Sequence, residues 1–170
     1  MCGIAGFVGN NQIKIHELSK IFELVLKSLH NRGPDNKGTW HDATDNNVFL
    51  GHTRLSIIDT SSNGSQPMVS RSGRYIIVYN GECYNHLKLR SECEDFITKN
   101  NIDNHKWVGH SDTETILLLI EIYGFSKAIA KIEGMFAIAV WDRKKNNLLC
   151  ARDRFGEKPF YYYYDNQSFI

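Results

Sequence analysis

Apolar positions recur along this chain at two spacings, and the switches between them mark out its elements. In IHELSKIFELVLKSLH the apolar residues 15, 18, 21, 22, 25, 26 and 29 form one stripe of helical period, which predicts an amphipathic helix. NRGPDNKG breaks that stripe with Gly33-Pro34 and opens a loop. Ahead of the helix, CGIAGFVG reads as a strand rich in small residues, where another backbone or a ligand comes close. Short strands are expected around TWH and along NVFLGHTRLSIID, followed by a loop at TSSNGSQP. RYIIVYNGE is a continuous apolar run of the kind found in buried strands, ending in Asn-Gly.

The second half repeats the alternation. A polar helix is expected from Tyr84 to about Asn100. DTETILLLIEIYG predicts a more apolar one, with Ser111 or Asp112 as N-cap and Gly124 as the stop. SKAIAKIEG reads as a short helix. MFAIAVWD, NLLCARD and PFYYYY then read as successive strands, the first two joined by the turn RKKN, and Phe169-Ile170 as the start of another. Strands gather at both ends and helices sit between them. This order predicts an antiparallel α+β fold rather than a parallel βαβ repeat.

Composition narrows the function classes. The 170 residues suffice for one domain with a real core, and a net charge of +1 gives no bulk field favouring nucleic acid or membrane. No apolar run approaches the roughly 20 residues of a membrane helix, and no signal peptide is legible. The cytoplasm is the default location. Cys2, Cys83, Cys93 and Cys150 make no metal-like spacing with each other or with the histidines at 16, 30, 41, 52, 86, 105 and 110, so no metal site is expected. Cys83, Cys93 and Cys150 read as packing residues, and no phosphate-cradling glycine loop is present. The aromatic run 160–164 reads as alternating strand faces rather than a base-stacking platform.

Cys2 is the residue with chemistry in it. Removal of Met1 would leave it with both a thiol and an α-amine. Such an amine titrates at about 7.7–8.0, so about a third is neutral at pH 7.5, whereas a lysine at about 10.4 is almost wholly protonated. An N-terminal cysteine thus carries a matched base on its own backbone. The bland alternative is a cysteine that merely follows the initiator. Asn80-Gly81 offers a side-chain amide and a backbone N–H, the two donors an oxyanion requires, but the same dipeptide is also the commonest hairpin turn. Arg54, inside a strand-like stretch, either snorkels to the edge or binds a planar anion. Asp112 reads as a plain helix cap, and Arg32 with Asp35 as a structural corner.

MCGIAGF, RGPDNKG, GHTRLSIIDTSSNGSQPM, YNGECYNH, SDTETIL, EGMFAIAVWD and ARDRFGEKPFYY occur in this order from residue 2 to about 164. In that order the chain resembles the glutaminase domain of the asparagine synthetases, a class II glutamine amidotransferase and N-terminal-nucleophile hydrolase. The resemblance implies a four-layer αββα sandwich of antiparallel sheets. It implies Cys2 as nucleophile with its α-amine as base, Asn80 and the Gly81 N–H as oxyanion hole, and Arg54 on the α-carboxylate of glutamine. Asp112, with Glu82 beside it, would take the α-ammonium, and backbone groups of Leu55, Ser56, Ile57 and Ile58 would line the pocket.

The substrate implied is glutamine, hydrolysed to glutamate and ammonia for ATP-dependent asparagine synthesis from aspartate. The implied partner is a synthetase domain of the same polypeptide. ATP and Mg are expected only there, with no cofactor in this chain and a homodimer neither required nor excluded. Residues 1–170 are expected to be the glutaminase domain, cut short at its C-terminal end and lacking the synthetase domain. Cys83 stands where a larger apolar residue is common, a second thiol near the pocket. Three rivals stay open: delivery of ammonia to a sugar or other carboxylate, a different N-terminal-nucleophile amidase, and a catalytically inactive binding module.

Overall fold

The computed structural model describes residues 1–9, 13–42, 47–102 and 106–170, so His105 lies outside the described residues. Two antiparallel four-stranded sheets face each other. The first has the order β2-β3-β1-β8, from β1 (Gly3–Gly9), β2 (Asn36–Asp42), β3 (Asn47–Arg54) and β8 (Ser168–Phe169). The second has the order β4-β5-β6-β7, from β4 (Met68–Val69), β5 (Tyr75–Cys83), β6 (Gly134–Asp142) and β7 (Asn147–Arg152).

Helix α1 (Ile15–Ser28) covers the outer face of the first sheet. Its stripe buries Leu18, Phe22 and Leu26, and Phe22 meets Phe49 of β3 at 4.2 Å between ring centres. Burial of side chains this size contributes about 1.5–3 kcal/mol each. Helices α2 (His86–Lys99), α3 (Asp112–Tyr123) and α4 (Phe125–Lys131) cover the outer face of the second sheet. The layers are therefore α, β, β, α, as the resemblance implies, and the sheets are antiparallel, as the element order predicts.

The continuous apolar run of β5 now has a cause. Tyr75, Ile77 and Tyr79 face the helices with Phe136, Ile138 and Val140 of β6. Ile76 and Val78 face the first sheet with Ala139 and Trp141. Period two is intact, but both faces are apolar because both are covered.

Two strand expectations fail, and one open alternative is decided. PFYYYY is not a strand: Tyr161, Tyr162, Tyr163 and Tyr164 are exposed, with a single bridge from Tyr164 to Phe169. The run folds back on β8 and Ile170 in a tight loop whose N–H groups are gathered by the Asp165 carboxylate, so only Tyr163 and Tyr164 reach a neighbouring strand segment and no ladder forms along the run. The strand read through Asp59 ends at Arg54, because the next two N–H groups leave the ladder: Leu55 donates to Cys2 Sγ and Ser56 to Asp35. Asn80-Gly81 is no hairpin turn. It lies within β5, paired across to Ala137 and Phe136.

Candidate active site

A pocket of about 120 Å³ opens where the C-terminal ends of β3 and β5 meet the start of β1 and the N-terminus of α3. It is lined by Cys2, Arg54, Leu55, Ile57, Ile58, Asn80, Gly81, Glu82 and Asp112, so the sequence-predicted site residues converge there with one exception. Ser56 does not border it, since its N–H turns away to the Asp35 carboxylate at 2.8 Å.

Cys2 is held from several sides. Its carbonyl accepts a hydrogen bond from Arg32 Nε at 3.1 Å, and the following N–H of Gly3 donates to Thr53 Oγ1. Its sulfur accepts the Leu55 N–H at 3.4 Å. Arg32 and Asp35 thus do more than shape a corner: one fixes the backbone of the thiol, the other the loop that lies against it.

The antiparallel ladder places the oxyanion candidates. Asn80 faces β6 with its backbone groups, so the alternation turns the N–H groups of Tyr79, Gly81 and Cys83 to the opposite edge. The outer two are engaged, Tyr79 N–H by Gln66 Oε1 at 2.7 Å and Cys83 N–H by Asp112 Oδ2 at 3.0 Å. The Gly81 N–H between them faces the pocket, as does the buried Asn80 amide, to which the structure gives no partner among the described residues. Gly81 itself answers to packing: a Cβ there would meet the Met135 carbonyl and stand 2.8 Å from Phe136 Cα.

The charged groups are fixed by backbone. The buried Arg54 guanidinium donates from Nη1 to the Ser61 carbonyl at 2.6 Å and from Nη2 to that of Asp59, leaving other N–H groups toward the pocket. Gly64 is glycine because a Cβ would collide with that guanidinium. Asp59 braces the loop by accepting from His110 N–H, Ser61 N–H and Ser61 Oγ, and the His110 bond leads in holding its carboxyl down to about 2. Asp112 is not the cap, a role Ser111 takes by accepting from Glu114 N–H. Its carboxylate accepts from Tyr79 Oη, Cys83 N–H and Thr113 N–H. Burial nevertheless raises its pKa above the ordinary value, with those bonds opposing, so an arriving cation would favour the charged form.

Behind the pocket, His52 is fully buried, and burial lowers its pKa from 6.5 to about 4. Nε2 faces the Tyr79 carbonyl at 3.2 Å, which requires the proton there, and Nδ1 has no partner among the described residues. Cys83 is buried too, and burial pushes its thiol up to about 12, so it is a packing residue rather than a second reactive sulfur. Sequence reasoning missed Asp59, Gln66, Tyr79 and Lys158. They act through loop conformation and across sheets, which no local periodicity records.

A family model, the glutamine amidotransferase domain, matches residues 1–170. The chain belongs to that family. It is 37% identical over 187 residues to the putative asparagine synthetase [glutamine-hydrolyzing] 2 of Methanocaldococcus jannaschii, covering all of this chain and 33% of the relative. It is also 37% identical over 172 residues to asparagine synthetase [glutamine-hydrolyzing] 3 of Bacillus subtilis, covering 26% of that protein. The chain thus spans a third or less of these relatives. Among solved structures, the glutamine phosphoribosylpyrophosphate amidotransferase of B. subtilis superposes with a TM-score of 0.72 at 17% identity, over 98% of this chain and 41% of that one, and so shares the fold. No helix among the described residues is long and apolar enough to cross a membrane.

Proposed function

We propose that this chain hydrolyses glutamine to glutamate and ammonia, with Cys2 as the nucleophile. The observation that carries the reading is the convergence of Cys2, the Asn80 amide, the Gly81 N–H, Arg54 and Asp112 on one pocket from separate elements. An amide carbonyl needs a thiolate, a base and two oxyanion donors. An α-amino acid needs one fixed cation and one fixed anion.

An aminopeptidase would first hydrolyse the Met1–Cys2 bond, exposing the α-amine. That amine takes the thiol proton, and the sulfur attacks the side-chain amide carbon. The oxyanion forms against Asn80 and Gly81 N–H. The amine returns its proton to the leaving nitrogen, and ammonia departs from a γ-glutamyl thioester. Water, deprotonated by the same amine, then releases glutamate and restores the thiol. Arg54 pairs with the α-carboxylate and Asp112, with Glu82 beside it, with the α-ammonium.

The names of the relatives support asparagine synthesis as the fate of the ammonia, on a synthetase domain of the same polypeptide that activates aspartate. Among the described residues no group of His, Cys, Asp and Glu side chains is placed to hold a metal ion. On this reading ATP and Mg act on that synthetase domain. Cys2→Ala should reduce glutamine hydrolysis at least about a thousandfold while leaving thermal unfolding unchanged. Release of ammonia by the variant at the wild-type rate would overturn the reading.

A further inference from the structure

One charged side chain at the pocket has no role in that chemistry. Lys158 is 6% exposed, and its ammonium pairs with no carboxylate among the described residues. A buried, unpaired ammonium is costly and does not persist by accident of packing. Its backbone is held from both sides. The Asp153 carboxylate accepts the N–H groups of Phe136, Glu157 and Lys158, and the Arg152 guanidinium donates to the carbonyls of Gly156 and Lys158. The loop so fixed carries Nζ to 3.3 Å from Met1 Sδ, inside the pocket that Cys2 lines.

Met1 is the residue that must leave for the proposed chemistry to start. Its departure removes the one partner the ammonium has among the described residues, and leaves Cys2, which lines the same pocket, as the new amino terminus. We propose that Lys158 is a positioning residue for the base: in the processed chain its ammonium faces the Cys2 α-amine and holds it in the neutral, proton-accepting form. The inference rests on the reading of Cys2 given above. A like charge beside an amine disfavours its protonated state, and the same charge favours a thiolate next to it.

The other charges around that end do not duplicate the effect. Arg54, at the end of β3, is tied to the Asp59 and Ser61 carbonyls, and Arg32 to the Cys2 carbonyl. The carboxylates of Asp59 and Asp112 are engaged by N–H and O–H donors. Glu82 of β5 lines the pocket as the anion whose pull on a protonated amine opposes Lys158.

The test uses the full-length protein with removal of Met1 verified by intact mass. In Lys158→Met the acid limb of kcat/KM for glutamine, and the acid limb of Cys2 alkylation by iodoacetamide, should both move to higher pH by about one unit. Lys158→Arg should restore both, and Lys158→Gln serves as the neutral variant should Lys158→Met fail to fold. Unshifted limbs in a folded neutral variant overturn the proposal. So does a rise in KM with both limbs in place, which would make Lys158 a ligand of the substrate carboxylate. If Cys2→Ala retains activity, the parent reading has failed. If that variant is inactive and the limbs stay put, only the role of Lys158 has failed.

Discussion

The two edges of β5 have different fates. Along one edge the strand is laddered to β6 without interruption, from Tyr75 opposite Asp142 to Cys83 opposite Gly134. Along the other, β4 covers only Ile76 and Ile77, and from Tyr79 onward the backbone groups are met by side chains instead. Gln66 takes the Tyr79 N–H, His52 the Tyr79 carbonyl and Asp112 the Cys83 N–H. A completed ladder holds a strand in place and leaves no donor for a ligand. An edge closed by a few chosen side chains leaves one N–H available at a position the ladder still dictates.

That contrast can be attacked at its strongest point first. Asn80→Ala removes the donor beside the open N–H. It should lower kcat for glutamine by about 10²–10³, or roughly 3–4 kcal/mol, with KM within a few-fold. Steady-state kinetics on the folded variant checks this, and an unchanged kcat would detach the open edge from the chemistry.

Acid tests the same edge through stability. His52 is neutral in the native state because burial lowers its pKa from 6.5 to about 4, while the unfolded chain accepts a proton near 6.5. Its contribution is therefore complete above about pH 6.5 and lost as the pH falls toward 4, to a limit of about 3 kcal/mol. Denaturant titrations across that window should show the loss, and His52→Gln should flatten it. A smaller cost attends Gln66→Leu, which leaves the Tyr79 N–H buried without an acceptor. About 2 kcal/mol of stability should go, read as a lower denaturant midpoint at constant slope.

The least effect belongs to the loop across the pocket. Ser61→Ala deprives Asp59 of its 2.6 Å hydroxyl contact and the following turn of its cap. About 1 kcal/mol should appear as a KM for glutamine raised roughly fivefold. An unaltered KM would show that the Arg54 cradle does not depend on that brace.

The same contrast explains what the sequence revealed. Period-two and period-3.6 patterns reported α1, α3, β5 and β6 because their side chains face solid layers, and a covered face leaves an apolar record. Cys2 was legible because the proposed chemistry depends on its being second in the chain. Asn80-Gly81 was ambiguous because the dipeptide serves a turn and a strand equally well, and only the β6 register decides between them. Asp59, Gln66 and Lys158 left no trace, since the first two accept N–H groups distant in sequence and the third reaches a side chain at the other end of the chain. The tyrosine run misled for the converse reason: it has strand-forming composition but is bridged to β8 only at Tyr164 and forms no ladder.

The double-sided burial of β5 has a consequence for what the chain tolerates. Tyr75, Ile77 and Tyr79 suit the helical side and Ile76 and Val78 the sheet side, so displacing the strand by a single position would exchange the contents of two cores. It would also swing Asn80 off the pocket. One inserted residue anywhere between Tyr75 and Val78 would thus disturb the pocket and the packing together, which makes the placement of the Asn80 amide a matter of counting residues rather than of any bond it forms.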